Sequence, residues 1–397
     1  MAKLIDITGK ALSGEWGTDD ETGDGIPVLR TTNFTNEGIV NYNDVVTRTI
    51  TKKKIDNKFL RKGDIIIEKS GGSDKFPVGR VIYFEGEEKT YLFNNFTGLL
   101  RVKNQDVWYP RYVFYSLYAN YKRGGTRAFE NKTTGLHNLK TDDYVSRYEV
   151  AEMDKAEQIL ICEKLDKLYE IIKSRRQELQ FLDELVKARF VELFGDPILN
   201  PYSWAVVTVG DIVTDVRYGT SKPAVEGGKY PYLRMNNLTY DGHLDLSDMK
   251  YIDIPDNEIE KCIVRKGDVL FNRTNSIELV GKTCVFDLAD DMVIAGYIIR
   301  VRLNEKLLPI VLSSYMNLPS LKEQLRSMAK GAVNQANINA QELKSIKISV
   351  PPIELQNQFA DFINQVDKLK SQMETSLKEL EDNFNSLMQK AFKGELF

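Results

Sequence analysis

The stretch Arg61–Ile67 reads RKGDIII, and Arg265–Phe271 reads RKGDVLF, 204 positions later in a chain of 397 residues. In each copy a Lys-Gly-Asp turn leads into an apolar run with the length of a β-strand. Further segments repeat in the same order at nearly the same distance: Ile26–Phe34 with Tyr230–Leu238, Val78–Phe84 with Val280–Phe286, and Leu165–Leu168 with Val366–Leu369. A collinear series of this kind does not arise by chance, so the sequence predicts two copies of one unit of about 200 residues.

Each copy ends in a long polar segment whose apolar residues recur at alternating spacings of three and four, which is typical of a coiled-coil seam. The series extends from Ile161 to Leu193 in the first copy, and from Phe362 through Leu369 to Ala391 in the second. About 34 residues at 1.5 Å per residue would make each helix roughly 50 Å long. Antiparallel pairing of the two helices would create a rod with a pseudo-twofold axis. The alternative is that each helix packs only on its own β-rich part.

We therefore expect an α+β fold, in which two β-rich domains are separated by two long helices that form an antiparallel coiled coil. The expected boundaries are 1–150 and 197–350 for the β-rich domains, and 151–196 and 351–397 for the helices. Short helices are expected within the β-rich domains at Tyr109–Lys122 and Leu307–Leu325. The whole arrangement would be a pseudo-twofold internal repeat.

The overall charge gives little support for binding to nucleic acid, because the formal net charge is −3. The distribution of charge is more informative. Residues 1–150 carry a balance of +3, residues 201–350 are neutral, and the acidic excess lies in 151–200 and 351–397. This distribution is compatible with DNA binding by local basic patches and with helices that bind protein.

Nothing in the sequence predicts export or insertion into a membrane. No apolar run reaches the roughly 18 residues of a membrane-spanning helix, and the opening MAKLIDITGKALSGEW lacks the pattern of a signal peptide. The three cysteines, Cys162, Cys262 and Cys284, are far apart and have no C-x-x-C spacing. We expect a cytoplasmic protein with ordinary reduced thiols.

Residues typical of catalysis or metal binding are scarce. The two histidines, His137 and His243, have neither a cysteine nor each other nearby in the sequence. The Gly-rich patterns of phosphate-binding and dinucleotide-binding loops are also missing. We therefore predict no catalytic residue, no metal site and no cofactor in this chain.

Several segments make the chain resemble the specificity subunit of type I restriction-modification systems. They are the RKGD turns of both halves, Gly331–Phe359, Glu192–Pro197 and Ala391–Phe397. In the first half, Gly135–Gln158 keeps only the outline of Gly331–Phe359 and lacks its Pro-Pro pair. The resemblance covers the whole chain and implies the order target-recognition domain, long helix, second target-recognition domain, second long helix.

The resemblance implies a non-catalytic subunit that recognises a bipartite double-stranded DNA target with a fixed unspecified spacer. Two recognition domains on one face of a duplex would contact half-sites about one helical turn apart. The implied partners are two adenine-N6 methyltransferase subunits docked on the helices, which restriction or translocase subunits can join. S-adenosylmethionine, ATP and Mg²⁺ would be bound by those partners.

Polar loops beside the repeated strands carry the side-chain types that contact DNA bases and phosphates. The candidate DNA-contacting residues are Arg30, Thr32, Asn33, Lys69, Ser70, Ser73, Lys75, Lys122, Arg123, Arg127, Arg234, Asn236, Asn237, Asn272, Arg273, Thr274, Asn275, Lys330, Asn334 and Gln335. The loops differ between the halves while the strands match, as expected if each half recognises a different DNA sequence.

Two other functions stay open on the sequence alone. One is a structural coiled-coil scaffold whose β-rich domains bind proteins. The other is a stand-alone DNA-modifying enzyme. Loss of DNA binding in the presence of the methyltransferase would favour the scaffold, and activity of the purified chain alone would favour the enzyme.

Overall fold

The computed structural model describes residues 1–52, 55–133, 136–332 and 335–393. They belong to two compact units, which comprise residues 1–176 with 375–397, and residues 177–374. Both boundaries fall inside a long helix. The first long helix is Lys155–Phe194 and the second long helix is Ile353–Lys393.

The described part of the first unit contains four sheets, the larger two having four strands each. In hydrogen-bonding order, one large sheet is Leu12–Ser13, Thr97–Leu100, Ile65–Glu68 and Val81–Tyr83, and the other is Thr18–Asp19, Val46–Thr49, Ile26–Leu29 and Leu92–Phe93. The small sheets are Glu130–Thr133, Leu136–Leu139 and Ser70–Gly72, and Ala2–Lys3 with Glu149–Val150. The α-helices outside the long ones are Leu4–Thr8, Pro110–Lys122 and Thr141–Arg147.

Over its described residues, the second unit has the same strand order as the first in three of its sheets, whereas one large sheet has a different edge strand. Its large sheets are Val213–Tyr218, Ile298–Leu303, Val269–Asn272 and Thr283–Val285, and Lys250–Ile252, Tyr230–Leu233, Met292–Ile294 and Ile263–Val264. Its small sheets are Thr274–Asn275, Gln335–Asn337 and Lys330–Ala332, and Ala205–Thr208 with Lys347–Val350. Its shorter α-helices are Asp256–Cys262, Pro309–Asn317, Pro319–Met328 and Ala340–Ser345.

The RKGD turn leads into a buried strand, and its aspartate stabilises the turn. Gly63 has φ +89°, a conformation that residues with a Cβ rarely adopt. The Asp64 carboxylate accepts the backbone N–H of Arg61 at 2.8 Å and pairs with the Arg101 guanidinium at 2.7 and 2.6 Å. The second unit forms the same set of interactions with Arg265, Gly267, Asp268 and Arg302. The repeated phrase is therefore a structural device that starts a core strand.

In the first unit, an apolar core forms between one short helix and the long helices. Helix Pro110–Lys122 buries eleven of its thirteen side chains. It packs with Ile161 and Leu165 of the first long helix and with Phe384 and Met388 of the second. The expected short helix at 109–122 is thus present, and its nearly complete burial explains its aromatic and aliphatic composition.

Within each unit, the two long helices pack against each other and run in opposite directions. In the first unit, Arg176 donates to the Glu381 carboxylate at 2.6 Å, and the Tyr169 and Phe384 rings are 6.4 Å apart. In the second unit, Lys370 donates to Asp183 at 2.6 Å, and the Phe190 and Phe359 rings are 5.4 Å apart. Residue numbers rise along one helix as they fall along the other, so the paired segments are antiparallel.

The apolar series expected for the second long helix is correct in part. Val366, Met373 and Ala391 are buried, but Leu369 is 45% exposed. Ile363 and Met388, which lie outside the expected series, are buried instead. Each packs into a core that includes side chains of a β-rich domain. Because the helix contacts a globular domain as well as a helix, its buried face is wider than a two-helix seam.

A fully buried glutamine anchors the start of the second long helix to the second β-rich domain. The Gln356 side-chain oxygen accepts the backbone N–H of Leu308 at 2.9 Å. Its amide nitrogen donates to the carbonyls of Lys306 and Pro351 at 3.0 and 2.8 Å. In the first unit the equivalent three bonds join Gln158 to Tyr109, Val107 and Met153. A similar junction therefore exists in the first unit, although its sequence lacks the Pro-Pro pair.

Candidate nucleic-acid interface

In the first unit, a short helical turn at Thr31–Asn33 holds a surface loop in place. The Arg30 guanidinium donates to the Asp44 carboxylate at 2.8 Å. Asn33 is 1% exposed, and its amide nitrogen donates to the carbonyls of Asn41 and Asp44 at 3.0 Å each. Both side chains thus have bonding partners within the unit. Thr32, between them in the sequence, is exposed.

The second unit forms the same turn with the corresponding residues. Arg234 donates to the Asp248 carboxylate at 2.8 Å, and the Asn237 amide donates to the Asp245 carbonyl at 2.8 Å. Asn237 is 2% exposed, whereas Asn236 is exposed. At both turns the arginine and the buried asparagine support the loop, and the residue before the buried asparagine faces outward.

Four of the candidate residues in the first unit line one open cavity of about 410 Å³, here called the basic cleft. These residues are Lys75, Lys122, Arg123 and Arg127, and the cleft also includes Phe76 and Tyr121. The cations come from the loop before strand Val81–Tyr83, from the end of helix Pro110–Lys122 and from the short 3-10 helix Gly125–Phe129 that follows it. The fold thus brings together residues about 50 positions apart.

The basic cleft is held together by a contact between its two sides. The Arg127 guanidinium donates to the backbone carbonyls of Asp74 and Lys75 at 3.3 and 3.4 Å. Gly124, at φ +76°, lets the chain turn directly after the helix. The Lys122 ammonium lies 5.6 Å from the Tyr118 ring centroid. The clustered positive charge suits the binding of phosphate groups.

The other three candidates of this region have more structural contacts. Lys69 donates to the Ser13 hydroxyl at 3.1 Å, and burial lowers the pKa of its ammonium. Ser73 closes the loop, because its hydroxyl accepts the backbone N–H of Phe76 at 3.1 Å. Ser70 lies in a strand and pairs with Asn138. These three residues are not among those that line the basic cleft.

In the second unit, three candidates form one hydrogen-bonded cluster. Asn272 is fully buried, and its amide nitrogen donates to the Tyr297 carbonyl at 3.1 Å. Its side-chain oxygen accepts the amide of Asn275 at 2.9 Å. The Thr274 hydroxyl donates to the Asn337 side chain at 2.9 Å. This cluster orients the strand ends beside the loop that follows Asn275.

The remaining candidates of the second unit differ in accessibility. The Arg273 guanidinium lies 4.9 Å from the Tyr218 ring centroid and is partly buried, while Gln335 is exposed. Lys330 lies in a strand whose side chains are outside the described set, and Asn334 lies outside the described residues altogether. DNA contact by the twenty candidates stays a prediction.

Two cations that sequence reasoning did not select, partly buried Arg80 and buried Lys282, support the turns described above. Arg80 donates to the Thr31 carbonyl at 2.9 Å and to the Glu68 carboxylate at 3.2 Å. At the corresponding position, Lys282 donates to the Met235 carbonyl at 2.7 Å. The alignment of VGRVIYF with VGKTCVF already placed both cations after a Val-Gly pair. That shared position is the sequence signal that could have identified both cations.

Lys322 is a further buried cation near the predicted DNA-facing loops of the second unit. Its ammonium donates to the Gly281 carbonyl at 2.7 Å and lies 5.2 Å from the Tyr240 ring centroid. Burial, followed by the positive charges of Arg326 and Lys282, lowers the pKa of Lys322 to about 7. Arg326 itself donates to the Tyr240 hydroxyl at 2.8 Å.

The fold brings His243 close to two carboxylates, which the sequence did not predict. Ligand-type atoms of Asp183, Asp241 and His243 lie within 4.8 Å of one another. The Lys370 ammonium already pairs with Asp183 at 2.6 Å and lies 3.4 Å from the His243 ring. A lysine therefore supplies positive charge at this cluster, which we interpret as an ion-pair network.

Two further observations concern the membrane and the cysteines. No helix in the described residues combines the length and apolar character needed to cross a membrane. Cys162, Cys262 and Cys284 are all buried free thiols. Burial raises the pKa of Cys162 and Cys284 well above the usual range. Both groups stay protonated at neutral pH.

Sequence comparison identifies relatives that span most of the chain. Residues 201–382 match the family model of the type I restriction modification DNA specificity domain. The chain is 24% identical to the EcoKI specificity subunit of Escherichia coli K12 over 403 residues, covering 94% of this chain and 83% of that one. The StySPI specificity subunit of Salmonella potsdam is also 24% identical, over 396 residues, with the same two coverages.

Solved structures show the same fold. A chain from a study of complex assembly and conformational transition of the type I R-M system aligns with a TM-score of 0.60 at 19% identity, covering 100% of this chain and 97% of that one. The S subunit of the type I restriction-modification system from M. genitalium aligns with a TM-score of 0.54 at 17% identity, covering 98% and 95%. The resemblance inferred from the RKGD turns and the helix junction is confirmed: the chain is similar over most of its length to type I restriction-modification specificity subunits, and residues 201–382 match their DNA specificity domain.

Proposed function

We propose that this chain, as the DNA specificity subunit of a type I restriction-modification complex, recognises a bipartite target, one half with each β-rich domain. The observation that carries this proposal is that both units form the same supporting turn, whereas other surface loops differ between the units. Arg30 and Asn33 in the first unit make the same bonds as Arg234 and Asn237 in the second. The loops before strands Val81–Tyr83 and Thr283–Val285 differ in sequence. Two different half-sites follow from two different loop surfaces.

The spacing between the half-sites is set, in this proposal, by an antiparallel coiled coil within a pseudo-twofold internal repeat. The antiparallel pairs in each unit and the similar strand orders support this arrangement. The target-recognition domains would comprise 1–150 and 197–350, and the helical spacers 151–196 and 351–397. A fixed helix length would leave base pairs between the half-sites that the protein spans without recognising them.

The long helices would also bind the catalytic partners. Five apolar side chains of the first long helix are 43–54% exposed: Leu160, Ile171, Phe181, Leu185 and Val191. Exposed apolar side chains along a helix are typical of a surface that another helix covers. We assign this surface to two adenine-N6 methyltransferase subunits, which restriction or translocase subunits can join. As a specificity subunit the chain is non-catalytic. Its partner subunits would bind S-adenosylmethionine, ATP and Mg²⁺, and the complex would act in the cytoplasm.

The proposal is tested by mapping N6-methyladenine across the genome with the gene for this chain intact and deleted. The expected result is loss of methylation at a single motif, made of two short sequences around a fixed gap. An unchanged map, with the methyltransferase partner shown to be expressed, would instead support a protein-binding scaffold. Methylation by the purified chain alone would support a stand-alone enzyme.

A further inference from the structure

An aromatic side chain stands exposed at the tip of the loop that borders the basic cleft. The loop Ser73–Pro77 follows strand Ser70–Gly72. It closes on itself, because Ser73 donates its backbone N–H to the Phe76 carbonyl at 2.7 Å and accepts the Phe76 N–H at 3.1 Å. The closed loop leaves the Phe76 side chain 54% exposed.

The surroundings of Phe76 distinguish it from an ordinary exposed apolar residue. Single apolar side chains on a protein surface are common and need no explanation. Phe76, however, lines the same cleft as the cations of Lys122, Arg123 and Arg127. The Lys75 ammonium lies 5.4 Å from its ring centroid. A polyanion bound by those cations would cover the ring.

The corresponding loop of the second unit also exposes apolar side chains. It lies between strands Thr274–Asn275 and Thr283–Val285. Ile277 and Leu279 are 42% and 40% exposed, and the loop is closed by the backbone N–H of Leu279, which donates to the Ser276 carbonyl at 3.1 Å. The sequences of the two loops differ, but both present apolar groups at the same place in the strand order.

A cation accompanies this second loop as well. The pKa of Glu278, in the middle of the loop, is lowered by its own backbone N–H, by the Ser276 hydroxyl and by the charge of Arg326. Arg326 belongs to helix Pro319–Met328, and helix Pro110–Lys122 supplies Lys122 at a similar place in the first unit. Each unit therefore combines an apolar loop tip with a helix-borne cation.

We propose that Phe76 in the first unit, and Ile277 with Leu279 in the second, contact the bases of the half-site that each unit recognises. This inference rests on the proposed function and adds the residues that determine specificity. Contacts to phosphates position a protein on DNA without distinguishing sequences, whereas contacts to base edges discriminate. An apolar side chain has one distinctive partner in the major groove, the thymine methyl group. Each half-site should therefore include an A·T pair recognised through that methyl group.

The proposal separates two effects that substitutions can have. Phe76→Ala removes an apolar contact and no charge, so it should weaken binding to the cognate site about tenfold, within the range for a lost base contact. Its affinity for unrelated DNA should not change. Lys75→Ala, one position away, should weaken binding to all sequences alike. Phe76→Leu keeps an apolar group and should retain most of the discrimination.

The test uses the complex of this chain with its methyltransferase partner and a DNA library that is randomised at each position of both half-sites. Molecules methylated by each variant are sequenced. Phe76→Ala should relax the preference at one A·T position in one half-site, and Ile277→Ala with Leu279→Ala should relax one in the other. Unchanged preferences with both sets of variants would overturn the inference while the proposed function stood.

Two further outcomes keep the proposals distinguishable. A wild-type complex that selects no split motif would overturn the proposed function together with this inference. Relaxation of both half-sites by Phe76→Ala would also overturn the inference, because it would indicate a general loss of assembly. Thermal unfolding of the variants supplies the control, and a 54% exposed side chain should leave the midpoint nearly unchanged.

Discussion

Replacement of Gln356 by methionine should detach the second long helix from the second β-rich domain. Methionine has a similar length and lacks the amide that makes three hydrogen bonds to Leu308, Lys306 and Pro351. Each bond contributes about 1 kcal/mol, and an unsatisfied buried backbone group costs about 1–3 kcal/mol. The free energy of unfolding of the second unit should therefore fall by about 3 kcal/mol or more.

The assay is thermal unfolding of the purified chain, followed by circular dichroism. For a cooperative unit of about 200 residues, a loss of 3 kcal/mol lowers the midpoint by roughly 6–12 °C. Gln358→Met is the matched control, because Gln358 is exposed on the same helix two positions away. Equal midpoints for the two variants would refute the assignment of Gln356 as an anchor.

Two other perturbations test charges on the surface and in the interior. Replacing both Lys122 and Arg123 by alanine should reduce the slope of log DNA affinity against log salt concentration by about two, one for each lost phosphate contact. Replacing the exposed Lys62 by alanine serves as the control. For Lys322, burial lowers the folded pKa to about 7, whereas an unfolded lysine titrates near about 10.4. Between these values the unfolded state binds the additional proton, so stability rises with pH, by at most about 1.4 kcal/mol per pH unit. Urea unfolding should show that Lys322→Met is the more stable protein at pH 7 and that its advantage shrinks by pH 9; a constant difference would contradict the lowered pKa.

The features that sequence reasoning identified well are those that depend on local spacing. RKGD predicted a turn into a buried strand, because a glycine and an aspartate at fixed positions satisfy a turn wherever it occurs. The three-and-four spacing predicted the long helices, since residues that share a helix face must recur with that period. The same spacing misplaced Leu369, which is 45% exposed, because the helix also packs against a globular domain.

The chemistry of the candidate surface depended on contacts that sequence spacing does not encode. Asn33 has a side chain of the type that contacts DNA bases, but its amide forms hydrogen bonds within its own turn. His243 is isolated in the sequence, yet it lies beside Asp183 and Lys370. A polar side chain has the same identity whether it faces DNA or a backbone carbonyl, and only packing decides which.

The sequence by itself predicted two similar units, the elements of each unit and the resemblance to type I specificity subunits, because repeated order and periodicity are properties of the chain. The tertiary structure alone decided that Lys75, Lys122, Arg123 and Arg127 share one cleft and that Phe76 stands exposed beside them. These residues come from separate elements whose meeting depends on long-range packing of strands and helices. That packing reflects the shapes and burial of many side chains together, which no local pattern specifies.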